Sequence, residues 1–265
     1  MELCSIASGS SGNCIFAGGM NTGVLFDAGI SGKRIESGLN GIGRSGKEMA
    51  AVFVTHEHAD HIKGLGVIAR RFGIPVYATE ATWEAICSTS GIGDIPKDLF
   101  HPVYPDCPVT VGELEVTPFS IPHDAADPVA YRIGCGGRSA AIATDMGIYT
   151  QDIISHLQNL DVLFLEANHD VHMLEAGRYP YYLKRRILGN KGHLSNEDSG
   201  RLLSEVLHDH MEEIVLSHLS KENNYPALAF ETVSAEITMG DNPYRAKDFR
   251  ISVARRDEPG DLIAV

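Results

Sequence analysis

Residues 55–61 read Thr55-His56-Glu57-His58-Ala59-Asp60-His61, which puts three imidazoles and one carboxylate of metal-ligand type within six positions. On extended chain, residues two apart point to the same side, so His56 and His58 can bind one ion. Asp60 and His61 are adjacent and diverge, which lets them serve a second ion beside the first. Two metals about 3.5–4 Å apart are a recurring arrangement for hydrolysing phosphate esters, amides and esters. Neutral imidazoles suit zinc, and added carboxylates admit manganese. The run therefore predicts two divalent metal ions, Zn or Mn, and hydrolytic chemistry.

Such a cluster has to be held by ordered elements, and the flanking sequence supplies them. Residues 50–54 form an apolar run that leads straight into the histidines, and residues 62–72 follow as a predicted helix ended by Gly73 and Pro75. Upstream, strands are expected over residues 3–7, 14–17 and 23–26, with a Gly/Ser turn at 8–13 and a short helix over 33–39. The third strand delivers Asp27 at its end. Residues 109–145 read as antiparallel strands, at 114–120, 129–134 and 139–144. Strands are also expected at 162–165, 214–216 and 249–253, and helices at 151–158, 195–208 and 226–237. Ser195-Asn196-Glu197-Asp198 has the pattern of a capping box. Short apolar runs alternating with helical patterns predict an α/β fold of two packed sheets flanked by helices. Candidate ligands fall just past strand ends, where ligands converge in layered α/β proteins.

The bulk composition sets bounds on this reading. Hydrophobic residues make up 43% of the 265, enough for a sizeable core without disulfides. Cys4, Cys14, Cys87, Cys107 and Cys135 are scattered and form no Cys-x-x-Cys pair. That argues against a disulfide framework and against a thiolate zinc site, and it points to a reducing cytoplasm. No apolar run approaches the roughly 20 residues that span a bilayer, and no signal peptide is evident, so a soluble protein without membrane partners is expected. The formal charge of −13 disfavours nonspecific attraction to nucleic acid, although it says nothing about local patches.

His56-x-His58-x-Asp60-His61 resembles the signature of the metallo-β-lactamase superfamily, and later segments resemble its remaining motifs in order. Asp27 resembles the first motif, a residue that supports the cluster from behind; an ordinary turn aspartate is the alternative. His123 in Ile121-Pro122-His123-Asp124, Asp145 in Thr144-Asp145-Met146-Gly147 and His218 in Leu216-Ser217-His218 resemble the other three. The resemblance implies an αββα four-layer sandwich. It assigns one metal to His56, His58 and His123, the other to Asp60, His61 and His218, and a bridging role to Asp145. A hydroxide between the ions is the implied nucleophile. The strict histidine pattern favours hydrolysis over the redox chemistry of flavo-diiron relatives.

A second segment has no evident role in holding metal. Residues 178–191 carry Arg178, Lys184, Arg185, Arg186 and Lys191 with no acidic residue, and Tyr179, Tyr181 and Tyr182 are interleaved. Basic groups pair with phosphates and tyrosines stack on bases, so Lys184, Arg185 and Arg186 are candidate DNA contacts. The alternative is a helix with a solvated basic face and packed tyrosines. Gly192-His193-Leu194-Ser195 follows at once and is similar to the His-x-Ser/Thr element of ribonuclease Z-type nucleases. That similarity implies that His193 protonates the leaving oxygen, with Glu166 as a possible orienting partner. His169 either lines the cleft or serves its own loop.

Together with residues 8–13, Glu166-Ala167-Asn168-His169-Asp170 and the segment 218–224, these motifs look most like the YycJ (WalJ) family. The resemblance implies a single metallo-β-lactamase domain over residues 1–265, with no β-CASP insertion, acting as a 5′-to-3′ exonuclease on double-stranded DNA. Two other classes stay open. One is a small-molecule hydrolase (a cyclic phosphodiesterase, thioesterase or lactonase), which would have little use for the basic, aromatic segment. The other is a metal-binding regulatory partner, against which a complete ligand set with a candidate acid speaks.

Overall fold

Each apolar run that ends in a ligand-type residue forms a strand. The computed structural model describes residues 1–265, which fall into two units. The first unit comprises residues 1–120, 125–138 and 255–265; the second comprises 121–124 and 139–254.

The first unit holds β1 (Glu2–Ala7), β2 (Cys14–Gly18), β3 (Gly23–Phe26), α1 (Gly32–Gly41), β4 (Met49–Phe53), α2 (Ala59–Ile62), α3 (Leu65–Phe72), β5 (Val76–Ala78), α4 (Glu80–Ser88) and β6 (Phe100–Pro102). A meander of β7 (Val109–Val111), β8 (Leu114–Ser120) and β9 (Val129–Cys135) follows. A closing strand at Ile263–Ala264 pairs with β1, and the sheet then runs β1-β2-β3-β4-β5-β6. The β1-β2-β3 pairs are antiparallel, whereas β3 to β6 pair in parallel. Parallel strands covered on both faces read as continuous apolar runs, and Gly23–Phe26 is buried throughout. Beyond the end of β4, the Tyr131 hydroxyl donates to the Val54 carbonyl at 2.7 Å. Phe53 stacks on Phe26 and meets Tyr131 edge-on. These aromatics fix the strand whose end becomes the histidine run.

The helix expected over 62–72 begins at Leu65 as α3, and Ile62 instead ends a separate short helix, α2, with the break at Lys63-Gly64. The cause is a close approach of backbones. Ala28 donates to the His61 carbonyl, Gly64 donates to the Ala28 carbonyl, and Asn13 donates to the Asp60 carbonyl, at 2.7–2.8 Å. A side chain at Gly29 would lie 1.6 Å from the Asp60 oxygen, so only glycine fits. Segments 27–30 and 60–64 are thereby locked together, and the helix is interrupted to allow it. β5, α4 and β6 lie outside the elements expected from the sequence; β5 and β6 are only three residues long.

The second unit holds β10 (Arg138–Ala143), α5 (Gln151–Leu157), β11 (Val162–Glu166), α6 (Val171–Ala176), α7 (Tyr181–Ile187), α8 (Asn196–Val206), β12 (Glu213–Ser217), α9 (Pro226–Met239) and β13 (Arg250–Val253). β10, β11, β12 and β13 are parallel neighbours. Within 109–145 the pairs β7–β8 and β8–β9 are antiparallel as expected, whereas β10 pairs in parallel with β11, a strand beyond that range. Local alternation cannot report strand direction. The carboxyl ends of parallel strands lie on one edge, which is where Asp145, Glu166 and His218 stand. Ser195 caps α8 by accepting the Asp198 N–H at 3.1 Å, but Asp198 Oδ2 takes the Ser195 hydroxyl instead of its backbone N–H. The reciprocal bond of a capping box is absent. No helix is long and apolar enough to cross a membrane.

Candidate metal centre and its histidine–glutamate pair

In the first unit, His56, His58, Asp60 and His61 leave the end of β4 beside Asp27, which ends β3. His56 and His61 rings lie 4.1 Å apart between centroids, and His56 meets His58 edge-on at 4.6 Å. Asp27 is buried and accepts from His61 Nδ1 at 2.7 Å and from the Thr55 N–H at 2.8 Å. A carboxylate cannot donate, so His61 carries its proton on Nδ1 and offers the Nε2 lone pair. That lone pair lies 3.6 Å from Asp60 Oδ2 and accepts from Asn13 Nδ2 at 3.2 Å. The Thr55 hydroxyl donates to Asp27 Oδ2 at 2.9 Å, which leaves its oxygen to accept from His56 Nδ1 at 3.0 Å. His56 is thereby set with Nε2 as its donor atom too. Glu57 is no ligand in this arrangement; its carboxylate accepts the Ala126 N–H at 2.9 Å.

In the second unit, Asp145 follows β10, Glu166 ends β11 and His218 follows β12. His123 donates from Nδ1 to the Gly192 carbonyl at 3.0 Å, which again frees Nε2. His218 donates from Nδ1 to Glu166 Oε1 at 3.0 Å. The Nε2 atoms of His218 and His123 lie 3.4 and 3.9 Å from one oxygen, Asp145 Oδ1. Asn168 Nδ2 donates to the His218 carbonyl at 3.0 Å and holds that loop. Gly147 has no room for a side chain, which would fall 2.4 Å from the Asn190 backbone. The turn after Asp145 is therefore seated on the turn before His193.

Glu166 and His193 meet: His193 Nδ1 donates to Glu166 Oε1 at 2.7 Å. The same oxygen serves His218, and Oε2 accepts the N–H groups of Met146 (3.0 Å) and Leu194 (3.2 Å). Burial alone would raise the Glu166 pKa; the charge and hydrogen bonds of His193, then of His218, hold it well below the usual carboxylate range. Burial alone would lower the His193 pKa, but Glu166 and then Asp145 raise it above its ordinary value. His193 thus keeps a proton on Nδ1 while 18% of its side chain remains accessible. His169 is different. It is buried, and burial lowers its pKa to about 4. Its backbone bridges Ser195 and accepts the Asn196 N–H at 2.9 Å, which is a loop role.

Three residues in these clusters, Asp27, Asp145 and His218, have φ of 61°, 63° and 57°. Non-glycine residues in the left-handed region cost of order 1–3 kcal/mol each and gather at functional sites. Here the sharp turn aims each side chain back across its strand end.

The donor set fits divalent metals. His56, His61, His123 and His218 each have Nδ1 engaged by an oxygen, so each presents Nε2, which is how ligating histidines are oriented in metal sites. The residues that do this orienting were partly hidden. Thr55 precedes the first histidine and Asn13 lies in the Gly/Ser turn, yet neither type signals a role. The Gly192 carbonyl has no side-chain signal at all.

The basic segment divides. Lys184 Nζ donates to the Glu175 carbonyl at 2.6 Å, and Arg186 pairs with Asp124 through two nitrogens, one at 3.0 Å. Arg185 is exposed. Tyr181 and Tyr182 are 75% and 74% exposed, so the expectation of packed tyrosines does not hold for them.

Residues 22–237 match the model of the β-lactamase superfamily domain. The chain is 39% identical over 236 residues to exodeoxyribonuclease WalJ of Streptococcus pneumoniae, covering 89% of this chain and 88% of that one. It is 41% identical over 234 residues to exodeoxyribonuclease YycJ of Bacillus anthracis, covering 88% of each. The chain belongs to the WalJ/YycJ family of the metallo-β-lactamase superfamily. Its WalJ and YycJ relatives are named exodeoxyribonucleases, which are hydrolases, and the α/β fold expected from the motifs is that of the superfamily. Among solved structures, the metallo-β-lactamase fold protein YhfI of Bacillus subtilis aligns with a TM-score of 0.69 at 18% identity, covering 98% of this chain and 99% of that one. The short form of human tRNase Z aligns at 0.68 and 14%, covering 100% and 99%. At such identities these two support the fold alone. The WalJ/YycJ assignment and the histidine–carboxylate clusters together point to divalent metal use.

Proposed function

We propose that this chain is a two-metal exodeoxyribonuclease that digests double-stranded DNA from 5′ to 3′. The observation that carries the reading is the His193–Glu166 contact at 2.7 Å, on a carboxylate that also orients His218. A nuclease expels an alkoxide, which leaves poorly unless protonated. A positioned acid contributes a factor of roughly 10²–10⁴ to such a step. His193 suits the task because Glu166 fixes its ring and sustains its charge, leaving Nε2–H for the leaving oxygen. The exodeoxyribonuclease names of relatives at about 40% identity support DNA as substrate.

The family resemblance carries the ligand roles onto this chain residue by residue. His56, His58 and His123 would hold one ion; Asp60, His61 and His218 the other; Asp145 would serve both. Bound zinc or manganese would activate water and neutralise phosphate charge. The chain's own residues do the rest: Asp27, Thr55 and Glu166 orient imidazoles, His193 transfers the proton, and Arg185 meets the DNA backbone. Lys184 and Arg186, which have partners within the protein, brace α7. We take residues 1–265 to act as one catalytic domain, and the unpaired thiols suit a reducing cytoplasm.

The decisive test is His193→Ala. It should retain bound metal and the fold, and cut release of nucleotides from an end-labelled duplex at least about a hundredfold. The loss should shrink sharply on a phosphodiester with a nitrophenolate leaving group, which departs without help. Equal losses on both substrates would assign His193 to positioning, and loss of metal would make it a ligand.

A further inference from the structure

The exposed face of α7 is built for a ligand other than phosphate alone. Helix neighbours lie three and four positions apart, so Arg185 shares one patch with both Tyr181 and Tyr182. No residue of α7 is buried, and the two tyrosines make no hydrogen bond or ring contact with the rest of the chain. Their neighbours do the opposite. Lys184 and Arg186 are engaged by the Glu175 carbonyl and by Asp124, and the Ile187 carbonyl accepts the His193 N–H at 3.0 Å. The helix is thus fastened at Lys184 and Arg186, and through the Ile187 carbonyl directly to the segment that carries the proposed acid. Between these anchors two rings and one guanidinium face solvent.

Rings left bare on a fastened helix gain nothing in the isolated chain, and contiguous exposed aromatic surface marks an interaction site. Two features specify the occupant. Charge favours a polyanion, since Arg178, Arg185 and Lys191 are all exposed and no acidic residue occurs between 178 and 191. Flat aromatic faces beside cations favour unpaired bases, whose own faces are free to stack. An exonuclease on duplex DNA produces such bases, because the terminal nucleotide leaves its partner before it is cut.

We infer that Tyr181, Tyr182 and Arg185 form a platform on which unpaired bases of the DNA strand stack next to His193. This rests on the exodeoxyribonuclease reading and names the part of the substrate that this helix holds. Tyr181 and Ile187 are roughly 9 Å apart along the helix axis, a few nucleotides of strand.

The probe is a duplex with a short unpaired 5′ extension, phosphorothioate-linked against cleavage and carrying 2-aminopurine in the extension. Mixed with the metal-loaded full chain, it should bind, and its fluorescence should fall as the base stacks. Y181A/Y182A should weaken binding roughly tenfold to a hundredfold, the effect of losing one or two stacked bases, and should abolish the fluorescence change. Y181F/Y182F should restore both, which excludes a folding defect. R185A should lower the salt slope of binding. Wild-type affinity and quenching in Y181A/Y182A would overturn the platform, as would a wild type that binds without quenching or does not bind. A concentration-dependent dimer abolished by Y181A/Y182A would overturn it in favour of self-association. The two readings separate on an ordinary end-labelled duplex. Digestion without quenching removes the platform and keeps the nuclease, whereas quenching without digestion does the reverse.

Discussion

The two units orient their histidines by different means. In the first, the side chains of Asp27 and Thr55 hold His61 and His56, and all the ligand-type residues but Asp27 come from one short run. In the second, five separate segments contribute: His123, Asp145, Glu166, His193 and His218. There a single buried carboxylate holds two imidazoles, and a backbone carbonyl holds the third. The first arrangement spreads its anchoring over local neighbours. The second concentrates it on Glu166, so the consequences of substitution should differ in kind.

The largest effect should follow removal of Glu166. Glu166→Ala would leave half-buried His193 and buried His218 without their acceptor and two backbone N–H groups unsatisfied, a loss of about 3–5 kcal/mol by analogy with broken buried ion pairs. Urea denaturation checks this. Glu166→Gln keeps the shape and some bonds, and should lower DNA hydrolysis by about a hundredfold as His193 loses its charged partner. The pH dependence has a definite sign. A carboxylate whose pKa is depressed on folding adds stability that is present above its unfolded value, near 4.5, and is lost as pH falls through the depressed one. Wild type should therefore lose stability faster than Glu166→Gln as pH falls below about 4.5, as read by thermal melting.

Removal of Asp27 should act on metal more than on stability of the second kind of centre. Asp27→Ala frees the His61 ring, and loss of such a partner weakens metal affinity typically 10–100-fold. Competition with a chelator measures it. An unchanged affinity would show that the close backbone approach of Gly29 to Asp60 is enough to hold the ring. The smallest effect belongs to Arg186→Ala. The pair with Asp124 is half-exposed, so its loss should cost no more than about 1 kcal/mol. A larger drop in the melting temperature would mean that α7 depends on this contact for its place.

Read residue by residue, the legible part was the part with local signals. The run His56 to His61 announces a metal centre because ligand types recur at short spacing after an apolar strand. Strand positions were clear where burial makes a continuous apolar run, as in β3, β11 and β12. Three-residue strands such as β5 carry too little pattern to be seen. The split between α2 and α3 was invisible because it answers to segment 27–30, about thirty residues away in the chain.

Chemistry and family were thus determined by side-chain identity and spacing, which survive in a one-dimensional string. The parallel pairing of β10 with β11, the sharing of Glu166 between His193 and His218, and the engagement of Lys184 and Arg186 while Arg185 stays exposed were decided by tertiary structure. A carboxylate's partners depend on which strand ends lie together in space, and a lysine or arginine is available to DNA only if no carbonyl or carboxylate of the fold already holds it.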